Sequence, residues 1–281
     1  MKNKIFKKLI LIDLDGTTLM DDHISIHPKT RSSLEKATQA GHIVCICTGR
    51  VSRDAEKIYK DLNMSTILVS LDGGHISDPV HKQFKRIVLP ISETIIKQIF
   101  KHEVLNDLID NAVVEYYNHG MSLNPKDKFF VVDTEDKTEM GDIINDWKGP
   151  ASNLIIKLKS NTNFKYVVDT LKKDFGNSVI VKSDLIYGIE HISEKPILII
   201  NNKFVNKGFA AEMVAQYYNI SLKHTIAFGD QLNDYEMLKT VGTSVALKNA
   251  NPKLQEVASI ITDLTNNEGG VGDTLDKLLN L

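Results

Sequence analysis

The apolar run Leu9-Ile10-Leu11-Ile12 stops at Asp13-Leu14-Asp15-Gly16, and that junction restricts the fold more than any other stretch. Four unbroken apolar residues offer water no polar face, so residues 8–12 read as a strand covered on both sides. Strands of that kind belong to parallel sheets flanked by helices. The chain continues in the matching rhythm. Residues 28–39 read as a helix, with Pro28 in its first turn and Gly41 just past its end. Residues 42–47 read as a second buried strand, 52–62 as a helix with Ser52 as N-cap, and 66–71 as a third strand. Strand and helix in alternation imply right-handed crossovers and a parallel sheet.

The C-terminal third repeats the alternation. Residues 207–218 are predicted helical, 225–228 a short strand, 234–241 a helix closed by Gly242, and 244–247 a strand. A short helix at 252–257, a strand at 260–262 and a terminal helix at 273–281 follow. The middle differs. A helix at 92–104, strands at 113–117, 129–133, 153–159, 179–183 and 187–192, and an amphipathic helix built on Phe164, Val167, Val168, Leu171 and Phe175 mix without the βαβ order. The expected class is therefore α/β: a Rossmann-like parallel-sheet core from residues 1–87 and 196–281, interrupted by an inserted α+β domain at 88–195.

Composition excludes several functions. With 281 residues, 42% of them hydrophobic, the chain can bury a core without disulfides. A net charge of −2 gives no reason to expect nucleic acid or an anionic membrane as partner. The basic start, Lys2 to Lys8, precedes only four apolar residues, too few for a secretory signal, and no stretch approaches a membrane span. Cys45 and Cys47 sit in an apolar run with no zinc partners nearby, as buried reduced thiols would. These features point to a cytoplasmic protein; nothing in them bears on oligomeric state.

Chemistry gathers where the predicted strands end, the edge at which open α/β sheets bind ligands. Asp13 and Asp15 close the first strand, and carboxylates this near repel unless a cation or proton intervenes. Magnesium, a hard oxygen-seeking ion, is the usual answer beside a phosphate. Thr48-Gly49-Arg50 closes the second strand and offers a hydroxyl and a guanidinium fork to phosphate. Gly229-Asp230-Gln231-Leu232-Asn233-Asp234 adds Asp230 and Asp234 to the acidic set and an amide at Asn233. Lys207 opens a helix as a positive partner. Each piece has a plainer reading: an ordinary strand-to-helix turn, a capping segment, a solvated lysine. Together they are far harder to obtain by chance.

At these residues the sequence resembles the haloacid dehalogenase superfamily of phosphohydrolases, and within it the Cof-type branch with a large α/β cap. Asp13-Leu14-Asp15-Gly16-Thr17 resembles its first motif and Thr48 in Thr-Gly-Arg its second. Lys207-Gly208 resembles its third, and Gly229-Asp230 with Asn233-Asp234 its fourth. Val245 to Ala250 resembles a segment that follows. The resemblance implies a Mg²⁺-dependent phosphatase acting on a small phosphorylated metabolite. Asp13 would take up the phosphoryl group and Asp15 would move protons. Asp13, the carbonyl of Asp15, Asp230 and Asp234 would hold the metal, while Thr48, Asn233 and Lys207 position phosphate oxygens. By the same resemblance Asp72 and Gly73 would lie at the phosphate, but the branch usually has Asn-Gly-Ala where this chain has Asp72-Gly73-Gly74. It also often has Glu where Ile199 stands. Substrate contacts are expected in the inserted domain, around Tyr187-Gly188 or Asn118-His119-Gly120. A phosphomutase-like transferase, a phosphometabolite-binding protein without turnover and, least of all, a phospho-receiver remain as rival readings.

Overall fold

A computed structural model describes residues 7–117, 119–127, 137–160, 162–183 and 197–281. The strands expected at 129–133 and 187–192 lie outside the described residues, as do Asn118, Tyr187 and Gly188. The chain divides into two compact units, one of residues up to Ile87 with Asn206–Leu281, the other Val88–Val205.

The first unit begins with β1 (Leu9–Ile12), all four residues fully buried. Burying side chains of this size is worth roughly 1.5–3 kcal/mol each, which explains why the run cannot sit at an edge. Helix α1 (Pro28–Gln39) leads to β2 (Ile43–Ile46), and α2 (Ser52–Asp61) to β3 (Leu68–Ser70). Val51, not Ser52, caps α2; the Ser52 hydroxyl instead meets the His75 ring and the Ser70 hydroxyl. β3 keeps one parallel bridge to the second strand, Cys47 to Val69. It then pairs antiparallel with β4 (His75–Ser77). The cause is a reversal in left-handed backbone at Leu71, Asp72 and Gly73, with φ of 51°, 53° and 93°. A Cβ at Gly73 would lie 2.7 Å from the Asn206 carbonyl, so only glycine fits there. β5 (Ile87–Val88) completes that three-stranded sheet.

The second unit holds α3 (Glu93–Phe100), α4 (Glu103–Asn106), β6 (Ile109–Tyr116), β7 (His119–Ser122), β8 (Lys137–Met140), β9 (Asn153–Leu158), α5 (Phe164–Phe175), β10 (Val179–Ser183) and β11 (Ile197–Asn202). The single helix expected at 92–104 is two, because the His102 side chain accepts the Val104 N–H and starts a new turn. The strands order as β10-β11-β9-β6-β7-β8. Leu154, Ile156 and Leu158 face a core with Ile96, Phe100 and Leu171, while Ile155 joins Val113, Ile197 and Ile199 on the opposite face. β11 pairs with both β9 and β10, so the chain leaves this unit after Val205 rather than after residue 195. The apolar run Ile197 to Ile200 is the sequence signal for that strand.

Back in the first unit, α6 (Lys207–Tyr217), β12 (Thr225–Gly229), a short turn at Leu232–Asp234, α7 (Tyr235–Thr240), β13 (Thr243–Ala246), α8 (Pro252–Gln255), β14 (Ile260–Ile261) and α9 (Gly270–Leu279) follow. The parallel sheet has the order β14-β13-β12-β1-β2, with Leu11 opposite both Ala227 and Cys45. Three neighbouring strands therefore end together, at Asp13, Cys47 and Gly229. The fold is α/β, with a parallel core and a separate mixed sheet.

Candidate active site

Asp13 follows the last residue of β1, held by its N–H to the Phe228 carbonyl at 3.1 Å and by the Thr18 hydroxyl on its own carbonyl at 2.6 Å. Asp230 follows β12. Asp234 closes the turn after it and accepts the N–H groups of Asp230 and Gln231 at 3.0 and 3.2 Å. Gly229 permits this, since a Cβ there would strike the Asp234 side chain at 2.6 Å. Lys207, the first residue of α6, is fully buried and donates to Asp13 Oδ1 and Asp234 Oδ1, both at 2.6 Å. The Thr17 hydroxyl donates to Asp230 Oδ1 at 2.8 Å.

One ammonium thus faces three buried carboxylates. Burial, then the neighbouring acids Asp234 and Asp230, push Asp13 well up against the pull of Lys207. Burial and Asp234 push Asp230 up to about 7. Burial also raises Asp234, although Lys207 and two backbone N–H groups work the other way. Lys207 itself would lose its charge to burial, but Asp13 and Asp234 hold it protonated.

Asp13, Asp230 and Asp234 each offer a carboxylate oxygen, and these oxygens lie within 4.8 Å of one another. A surplus of buried negative charge and an all-oxygen donor set suit a divalent, hard cation. The residues fit the magnesium that the sequence implied. The carboxylate of Asp15 is not in this group.

Asp15 turns the other way. Arg50 grips it with two parallel bonds, Nε to Oδ2 at 2.7 Å and an Nη to Oδ1 at 2.6 Å. His23 adds a contact from Nδ1 at 2.9 Å, and its carbonyl accepts from the same guanidinium at 2.7 Å. Burial alone would raise the Asp15 carboxyl, but Arg50 and His23 outweigh it and hold it below the usual value. The guanidinium expected to fork a phosphate is therefore spent on Asp15.

The remaining expected residues form a third side. Thr48 accepts the Asp72 N–H on its carbonyl at 3.0 Å, and its hydroxyl accepts the Arg50 N–H at 3.1 Å across Gly49. Asn233 donates its side-chain amide to Asp72 Oδ1 at 3.0 Å. So Asp13, Lys207, Asp230 and Asp234 converge in one cluster, Thr48, Asp72, Gly73 and Asn233 flank it, and Asp15 with Arg50 stands apart. Sequence reasoning gave no role of their own to Thr17, Thr18, His23 and Asn249, whose side chain holds the Gly16 carbonyl at 2.8 Å. The two threonines were adjacent to the acidic pair and could have been weighed as its hydrogen-bond support.

A sequence profile of the haloacid dehalogenase-like hydrolases matches residues 10–275. The chain belongs to this family. Among curated relatives it is 26% identical, over 97% of its length and 98% of the relative's, to the 5-amino-6-(5-phospho-D-ribitylamino)uracil phosphatase YitU of Bacillus subtilis. It is 28% identical to phosphatase YwpJ of the same organism, over 97% of this chain and all of that one. Among solved structures, a haloacid dehalogenase-like hydrolase from Bacteroides thetaiotaomicron superposes with a TM-score of 0.81 at 21% identity, covering 97% of this chain and all of that one. Family and relatives together support a phosphatase. No helix among the described residues is long and apolar enough to cross a membrane.

Proposed function

We propose that this haloacid dehalogenase-like chain is a Mg²⁺-dependent phosphohydrolase that removes phosphate from a small phosphorylated metabolite through an aspartyl-phosphate on Asp13. The observation that carries the reading is the buried Lys207 bonded at 2.6 Å to both Asp13 and Asp234, beside Asp230. A lysine and three acids buried this closely cost stability unless they serve a charged ligand.

Lys207 works against the burial that raises Asp13 and fixes one of its oxygens, leaving the other to attack phosphorus once a bound cation offsets the neighbouring acids. Asp15 gives a proton to the departing alkoxide and afterwards takes one from the water that frees the enzyme. Arg50 and His23 hold Asp15 in place for both transfers. Thr48 and Lys207 position phosphate oxygens, with Gly49 and Gly73 shaping the turns beside them, while the Asn233 amide nitrogen is engaged by Asp72; positioning and charge account for most of phosphoryl-transfer catalysis. Asp13, Asp230, Asp234 and the carbonyl of Asp15 would hold Mg²⁺, which when bound offsets the charge of carboxylates and phosphate. The inserted unit supplies substrate contacts in this reading. The relatives' action on phosphorylated ribityl compounds supports a metabolite of that size rather than a polymer. Free, buried Cys45 and Cys47 support the cytoplasm as its compartment.

The test is phosphate release from a panel of sugar and cofactor monophosphates, with and without Mg²⁺. We expect release from at least one ester, dependent on the metal. A panel without any release under either condition rejects the reading.

A further inference from the structure

The Asp72–Asn233 pair borders the carboxylate cluster without joining it. Asp72 stands in left-handed backbone, φ 53° and ψ 32°, with its N–H fixed on the Thr48 carbonyl. Its side chain is buried, and Oδ1 accepts the Asn233 amide nitrogen at 3.0 Å. An ionised carboxylate can only accept, so it dictates which end of the amide it meets. Nδ2 of Asn233 turns to Asp72. Its Oδ1 is left buried, with no hydrogen-bond partner among the described residues. Asp72 also adds to the negative field acting on Lys207. This corner therefore holds a carboxylate and an unpaired amide oxygen, and its amide donor is spent on Asp72.

We propose that Asp72, acting through Asn233, is a specificity-determining residue that weakens capture of highly charged phosphates and favours monoesters with a hydrogen-bond donor beside the phosphate. The inference rests on the phosphatase reading and deepens it. A hydroxyl or amino group of the ester, or a protonated phosphate oxygen, satisfies the Asn233 oxygen. A ligand bearing only anionic oxygens leaves that atom unpaired and meets the charge of Asp72.

The test compares the parent protein with Asp72→Asn and Asp72→Gly, both residue types that accept left-handed backbone. The inhibition constants of inorganic phosphate and pyrophosphate are measured against aryl-phosphate turnover in saturating Mg²⁺. Calorimetric titration of phosphate into each folded protein gives the same quantity without turnover. We expect phosphate to bind about tenfold tighter in both variants, and pyrophosphate to gain more, because each added charge feels the lost carboxylate. Constants unchanged or raised in both folded variants overturn the inference. A parent protein that turns over no ester rejects the phosphatase reading instead, and the calorimetric ordering still judges Asp72.

Discussion

Asp13 and Asp15 are separated by one residue, yet the protein gives their carboxylates opposite surroundings. Asp13 is 4% exposed and shares Lys207 with two other buried acids, so its carboxyl is raised. The Asp15 side chain is 37% exposed, is clamped by Arg50 and His23, and its carboxyl is lowered despite partial burial. The chain turns at Gly16, directly after the pair, with φ of 70°; a Cβ there would collide with Asp230 Oδ2. The contrast divides the labour of phosphate hydrolysis. The buried side has too much negative charge to rest comfortably without a cation. The open side keeps Asp15 ionised at rest, ready to take a proton from water. A phosphate anion arriving next to it raises its affinity for a proton, as a like charge does, and so equips it to serve as the acid in the first step.

The largest test of this division is Asp13→Asn. Removing the nucleophile should cut turnover by roughly 10³-fold or more, the scale on which deleting a covalent catalyst acts. It should not cost much stability, because an asparagine oxygen still accepts from Lys207 and one buried charge is gone. Steady-state assays and thermal melts at the same pH measure both; retained activity would break the comparison at its buried end. Next comes Asp15→Asn, expected to lower turnover by about 10²–10⁴, the usual range for acid–base assistance. With the second step impaired, phosphate should remain on Asp13, visible by intact mass. Loss of activity without any such adduct would place Asp15 in the first step only.

Metal and pH sharpen the contrast further. Asp230 has a native carboxyl pushed up to about 7, against an ordinary value of 3.8. A raised native value means that the folded state keeps a proton the unfolded chain has lost. Stability of the metal-free protein must then fall as pH rises from about 4 to about 7, by at most roughly 1.4 kcal/mol for each pH unit crossed. Asp13 and Asp234, also raised, act in the same direction. Magnesium should remove this loss by binding only the folded state, worth about 2.7 kcal/mol at a hundred times its dissociation constant. Melts between pH 5 and 8, with EDTA and with Mg²⁺, are expected to diverge as pH rises. Parallel curves would mean that the three acids do not share a cation.

The parallel core was legible because its signals are local. Leu9 to Ile12 is apolar without interruption, Pro28 and Gly41 punctuate α1, and Gly229 precedes the acids that follow β12. The convergence of Asp13, Lys207, Asp230 and Asp234 followed from the parallel order, since neighbouring strands end at one edge. Partner choice was not legible. Thr-Gly-Arg announces a guanidinium near the site, but whether it faces phosphate or Asp15 depends on the turn between Leu19 and Ile26, closed by an antiparallel bridge, that brings His23 alongside. The turn at Leu71 to Gly74 was expected from the resemblance, but its left-handed backbone at Leu71 and Asp72 was not, because it contradicts the strand propensity of the residues before it. The late return from the inserted unit was missed for a different reason. Ile197 to Asn202 reads as a buried strand in either unit, and only pairing with β9 and β10 decides.

The smallest expected effect concerns the open side. Arg50→Met removes the bidentate grip while keeping much of the stem. Asp15 then loses its strongest stabilising charge, and its carboxyl should move up towards the ordinary value. The sign of the stability change follows from the lowered native value. A depressed carboxylate contributes stability above its unfolded value of 3.8 and loses it as pH falls through the native one. Parent and variant should therefore differ most at neutral pH and converge as pH falls below the lowered native value. Because the Asp15 side chain is more than a third exposed, solvent screens the pair, and the neutral-pH difference should stay within about 1 kcal/mol. Added salt should shrink it further, whereas the buried Lys207 cluster should respond little. If melting curves of the two proteins instead stay apart at acid pH, Arg50 supports the fold through packing rather than through Asp15, and the electrostatic half of the contrast fails.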